Sequence, residues 1–196
     1  MTGVIRGSLA GIAVVFAALF NAAALSDTAQ LPRWTLEPDS SKLEFVFTQQ
    51  GKAEQGEFKS FKAVFWFDPD NLQASHFEVS IDMAAIDTGA SERDQILKSA
   101  DLFAVEQWPT ATFKAFNFRS RGGDQYLADA ELTIRNHSQR LSFPFKLDLI
   151  RGGKAFHLQS EVYISRIEYG VGQGDWAGTG LIADRVGVIA DVVASR

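Results

Sequence analysis

Residues 141–149 read Leu-Ser-Phe-Pro-Phe-Lys-Leu-Asp-Leu, and this stretch decides the fold. Leu141, Phe143, Phe145, Leu147 and Leu149 fall on one side of an extended chain, with Ser142, Lys146 and Asp148 on the other. A period of two marks a strand with one buried and one wet face, whereas a helix repeats every 3.6 residues. The same alternation extends in both directions. Upstream it appears in Leu43, Phe45 and Phe47, in Phe65 and Phe67, and in Phe77, Val79, Ile81 and Met83. Ala111, Phe113 and Ala115 follow, then Ala128, Ala130, Leu132 and Ile134. Downstream it runs through Phe156, Leu158, Val162 and Ile164, and through Val186, Val188, Ala190 and Val192.

Turn residues separate these runs: Gly51 and Gly56, Asp68-Pro69-Asp70-Asn71, Arg121-Gly122-Gly123-Asp124, Arg135-Asn136-His137 and Gly152-Gly153. Asn136 is expected to take the positive φ that a tight hairpin requires. About eight or nine strands on short turns read as a meander that closes on itself, since closure removes unpaired strand edges. One short helix is expected near residues 91–98. Ser91-Glu92-Arg93-Asp94 reads as a loose capping box, Ile96 and Leu97 supply apolar contacts, and Pro109 bars a return to helix. The expected architecture is all-β: one closed antiparallel β-barrel of about eight strands over residues 34–196.

The N-terminus reads as an export signal over residues 1–24. Arg6 provides the positive end, Leu9 to Leu19 are apolar apart from Gly11, and Ala22-Ala23-Ala24 supply small residues for cleavage. The apolar run is short for a bilayer span. Cleavage is expected after Ala24, with Ser26 as the second choice, and residues 25–33 lead into the barrel. The alternative is an uncleaved anchor. Either way the domain is expected outside the inner membrane, in a periplasm.

Composition excludes several functions. A net charge of −5 without a basic run offers no grip on nucleic-acid phosphates. With no Cys, disulfides, thiol nucleophiles and thiolate metal sites are all ruled out. His76, His137 and His157 have no metal-ligand spacing, and no Ser lies in a Gly-x-Ser-x-Gly elbow. Arg93, Asp94 and Asp101 are the one candidate acid–base group, and helix-end and bridging roles account for them better. No catalytic residue, metal site or covalent cofactor is expected.

Taken in order, a set of motifs resembles the YceI-like family. It comprises Leu36-Glu37-Pro38 with Ser41 and Phe45, Gly56-Glu57-Phe58 with Phe61, Phe65 with Phe67-Asp68-Pro69, and Ile81 with Asp87-Thr88-Gly89. Arg93-Asp94, Leu97, Ser99, Asp101, Phe103, Pro109 and Phe113 follow, then Leu132-Thr133-Ile134 and Arg166 with Tyr169-Gly170-Val171-Gly172. The resemblance spans Trp34 to about Val193. It departs at Ser40, where many members have His, and at Asn136, where Gly is usual. It implies an exported, lipocalin-like barrel, and some members bind polyisoprenoid chains. Gly170 to Trp176 resembles members associated with membrane di-haem cytochrome b, which implies such a partner.

The expected ligand site follows from both lines. Nine Phe share the inner face by alternation: Phe45, Phe47, Phe65, Phe67, Phe77, Phe113, Phe143, Phe145 and Phe156. Ala111, Ala115, Ala128 and Ala130 face them, which fits a slot and fits tight interdigitation equally. An eight-stranded barrel is near the size at which either occurs. The residues expected around a bound chain are Phe45, Phe47, Phe65, Phe67, Ile81, Phe113, Leu132, Phe143, Phe145 and Trp176. The expected ligand is an apolar isoprenoid lipid such as a quinone tail. Trp176 lies in the Gly-rich segment 170–180, read as a rim flap, where it would cover an entrance, meet a membrane partner or plug the barrel. The competing function is a filled barrel docking on a membrane cytochrome. Oligomeric state stays open, a homodimer included.

Overall fold

The computed structural model describes residues 31–196, together with Gly3. The export signal expected over residues 1–24, and most of the lead-in, lie outside the described residues. The first six strands are β1 (Arg33–Leu36), β2 (Lys42–Gln49), β3 (Lys52–Phe58), β4 (Phe61–Trp66), β5 (His76–Asp82) and β6 (Ile86–Asp87). Alternating stretches become β2, β4 and β5, while β1, β3 and β6 had no alternation to announce them, and Gly56, read as a turn residue, lies within β3. After α1 (Ser91–Lys98) come β7 (Thr110–Gly122), β8 (Gln125–Ile134), β9 (His137–Ile150), β10 (Ala155–Ser165) and β11 (Arg185–Ser195).

Eight strands form a closed antiparallel ring in the order β1-β4-β5-β7-β8-β9-β10-β11, and β1 meets β11 through Thr35–Ser195 and Leu36–Ala194. The other three, β2, β3 and β6, extend the wall sideways from β11. The split arises at Pro38, which starts a 3-10 turn between β1 and β2. Ser41 repairs it: its hydroxyl donates to Glu37 O at 2.7 Å and accepts the Val193 N–H at 3.0 Å.

Three local expectations need correction. The positive φ of the β8–β9 hairpin falls on Arg135 (φ 56°), not Asn136. That pattern belongs to a turn with its first central residue on the left-handed side. Ser91 is the first helical residue and not a cap; Ala90 stands at the N-cap with no side-chain bond. Asp94 instead accepts both the N–H (2.9 Å) and hydroxyl (2.6 Å) of Thr88. Leu149, expected inside, is 50% exposed at the barrel's end.

The interior falls into two apolar halves along the barrel axis. In one half Phe67, Phe77, Phe118, Tyr126 and Phe145 interlock as a plug, with Phe77–Phe118 centroids 4.7 Å apart and Phe67–Tyr126 5.3 Å apart. Edge-on aromatic contacts of this kind add to the area term. Simple alternation from Phe113 puts Phe118 outside. A bulge at Asn117 (φ 55°) shifts the β7–β8 pairing between Phe116 and Arg119, and Phe118 turns inward.

The other half is built around Phe45, Phe47, Phe58, Leu97 and Leu102. Phe45 lies across Gly56, its partner on β3, and a Cβ there would come within 2.3 Å of the ring. Gly56→Ala therefore forces Phe45 out of its place. We expect a stability loss of about 1–3 kcal/mol in thermal or urea unfolding; an unchanged midpoint would show that the ring moves without cost.

Candidate ligand cavity

The barrel is hollow between and beyond the two packed layers. A first cavity of about 90 Å³ is walled by Phe65 (β4), Val79 and Ile81 (β5), Phe113 (β7), Leu132 (β8), Leu141 and Phe143 (β9), Val162 (β10) and Ala190 (β11), among others. Ser160 is the one side chain in its wall that carries a polar atom. A second cavity of about 80 Å³ lies toward α1, walled by Phe45, Phe47, Phe58, Leu97, Leu102, Ile164 and Ile182, with Arg166 as its one charged neighbour. Val188 is the side chain that lines both chambers. Inward residues such as Val79, Phe113, Leu141 and Val162 stay only partly buried because they face this space.

The expected site residues separate as follows. Phe65, Ile81, Phe113, Leu132 and Phe143 wall the first chamber. Phe45 and Phe47 wall the second. Phe67 and Phe145 line neither and sit in the aromatic plug. Trp176 is partly buried, packs against the α1 half and lines neither chamber. The four alanines also line neither: Ala111, Ala115, Ala128 and Ala130 are at most 2% exposed and are packed into the core. Ala63, Ser160 and Ala190 are the small residues that do face the space. Val162, Val186, Val188 and Ala190 were readable as inner-face residues of β10 and β11. Leu102 and Phe103 follow α1 with no periodicity to announce them.

Arg166 closes the α1 end. It is 4% exposed, and its guanidinium donates to five backbone carbonyls: Ala183 (3.1 Å), Val171 (2.8 Å), Trp176 (3.0 Å), Gly178 (2.7 Å) and Ile182 (3.0 Å). These bonds tie down residues 170–183, the segment read as a flap. Burial pulls the Arg166 pKa below its ordinary value, and Asp184 opposes the shift. With its donors spent on carbonyls, Arg166 offers none to a ligand. Gly172 (φ 111°) is required here because a Cβ would come 2.0 Å from Arg166 Nη1.

Arg135 anchors the neighbouring turn, donating from Nη1 to Leu102 O (2.8 Å) and Gly170 O (2.5 Å), with its guanidinium 4.6 Å over Trp108. Arg93 spans from α1 to β3 through Glu54 (2.8 Å) and also holds Thr88. Arg93 is thus paired with Glu54, and Asp94 is held by Thr88. His157 meets Asp191 at 2.6 Å, apart from both chambers. Among the described residues no group of three or more His, Asp or Glu is placed to hold a metal ion.

Tyr169 lies beneath the same segment, 2% exposed. Burial, helped by Glu168, pushes its pKa up to about 12. The native state then holds this proton more tightly than the unfolded chain, whose Tyr titrates near 10. Its contribution is full below about pH 10 and is lost as pH rises toward 12, on the order of 2 kcal/mol in all. Alkaline unfolding should be shallower in Tyr169→Phe than in the parent; parallel curves would contradict this assignment.

Comparison with known proteins gives a consistent picture. The family described as YceI-like domain matches residues 34–194. The chain is 31% identical over 100 residues to a UPF0312 protein of Vibrio cholerae, covering 51% of this chain and 52% of that one. It is 30% identical over 120 residues to Protein YceI of Escherichia coli O157:H7, covering 59% and 62%. These matches span about half to three-fifths of the curated relatives' length. The crystal structure of BcnA from Burkholderia cenocepacia superposes with a TM-score of 0.77 at 27% identity, covering 82% of this chain and 99% of that one. A polyisoprenoid binding domain from Saccharophagus degradans shares the fold, with a TM-score of 0.66 at 15% identity over 83% and 97%.

Proposed function

The chain belongs to the YceI-like domain family, and from that premise we propose that it is a binding protein whose barrel holds a long uncharged isoprenoid chain, such as a quinone tail, as carrier or store. One observation carries this: two hydrocarbon-walled chambers, both lined by Val188, lie inside a barrel closed by its own packing. Such walls recognise length and shape but give a charged or strongly hydrogen-bonding group nothing to pair with. Each buried isoprene unit would contribute on the order of 3–4 kcal/mol gross, at about 0.8 kcal/mol per carbon. The description of the Saccharophagus degradans neighbour as polyisoprenoid binding supports the same ligand class.

A barrel docking on a membrane cytochrome without a ligand of its own would have a filled core, and the hollow interior weighs against it. Residues 1–24, read as an export signal, support a carrier working outside the cytoplasm, where an apolar chain drawn from a membrane needs a container in water. The deciding measurement is native mass spectrometry of protein purified from the exported fraction, followed by organic extraction. A stoichiometric isoprenoid is expected. A ligand-free mass that does not change on incubation with quinones would sink the proposal.

A further inference from the structure

Among the described residues, the wall between β9 and β10 is laddered over only part of its length. β9 and β10 pair only from Ile150–Ala155 to Lys146–Gln159. Beyond that point, among the described residues, β9 stays laddered to β8 as far as His137 and β10 stays laddered to β11 as far as Ser165, with no ladder between the two. Pro144 accounts for the break. Its carbonyl accepts the Ser160 hydroxyl at 2.6 Å, so it faces β10. A strand residue's nitrogen points the same way as its oxygen, and here that nitrogen has no hydrogen to give. One side-chain bond stands where a ladder would continue.

The side chains along the seam line the cavity. Leu141 and Phe143 on β9, and Ser160 and Val162 on β10, wall the first chamber. On the outer surface a groove is bordered by Pro144 of β9 and by Gln159, Ser160 and Glu161 of β10. Both ends of the barrel are more firmly closed, one by the aromatic plug and the other by the five-carbonyl clasp of Arg166. Along the unladdered stretch the strands are held by the Ser160–Pro144 bond, by Gln139 reaching the Glu168 carbonyl at 3.2 Å, and by apolar packing, without the regular ladder that holds their other edges.

We propose that the β9–β10 seam is a side entrance through which an apolar chain threads into the cavity. This rests on the cavity being a ligand site, and the test separates the two. Because the chain has no cysteine, introduced pairs are the only thiols. Ser142→Cys with Glu161→Cys spans the seam, and Asp101→Cys with Gln173→Cys spans the α1 end, where Gln173 N–H already reaches Asp101 O at 2.7 Å. Each pair is bridged with a short bismaleimide, and retinol, a fluorescent isoprenoid, is mixed in while its emission is followed. Bridging the seam is expected to slow loading by roughly tenfold or more, with unchanged final occupancy, while bridging the α1 end leaves the rate as it was. Retinol loading at the parent rate through a bridged seam would overturn the side entrance alone. Retinol that never binds the unbridged protein would overturn the cavity assignment and the entrance with it.

Discussion

Arg166→Met is expected to cost about 3–5 kcal/mol of stability, the range for removing one member of a buried charged network. Methionine keeps the apolar stem but removes the donors to Val171, Trp176, Gly178, Ile182 and Ala183. An orphaned buried carbonyl costs about 1–3 kcal/mol, and the sum is held below five such losses because the segment can relax toward water. Arg166→Lys should recover only part of this. An ammonium has three donors and no planar fork, so it cannot reach carbonyls spread over residues 171–183. Urea unfolding followed by circular dichroism measures both variants. A methionine variant within about 1 kcal/mol of the parent would show that residues 170–183 are held by something other than this clasp.

Val188→Phe carries the second large effect, on binding instead of folding. Val188 is the side chain common to both chambers, so a ring placed there fills the junction between them. Free space on both sides keeps the overpacking cost to about 1–2 kcal/mol. A chain threaded from one chamber to the other has no way past the ring. Retinol or a short polyprenol should bind roughly tenfold or more weakly, with near-parental unfolding. Parental affinity would mean that ligands occupy one chamber only, or neither. Ala190→Phe gives a check within the first chamber alone, since Ala190 lines that chamber and not the second. Comparing the two variants locates the ligand along the axis.

Much of the barrel was legible because strand alternation is a local property with a fixed period. Phe45, Phe47, Phe65, Phe113, Leu132 and Phe143 face the interior where their parity places them. Parity fails where the backbone inserts a residue, which is why Phe118 was hidden by the bulge at Asn117. It is silent in loops, which hid Leu102 and Phe103. It also records only inside or outside and says nothing of depth. Phe67 and Phe145 share a face with Phe65 and Phe143, yet they plug one end and leave the chambers to the others.

By itself the amino-acid sequence determined the all-β class, the inner face of eight of the eleven described strands, the short helix at 91–98 and the apolar character of the interior. All of these follow from side-chain chemistry repeated every second residue. Tertiary structure alone decided that the barrel encloses two apolar cavities, that Val188 lines both, that Arg166 spends its charge on five carbonyls and that β9 and β10 are laddered over only part of their length. Each depends on how volumes and strand registers meet across the ring. Void space is a difference between wall and filling, and no single stretch of chain carries that difference.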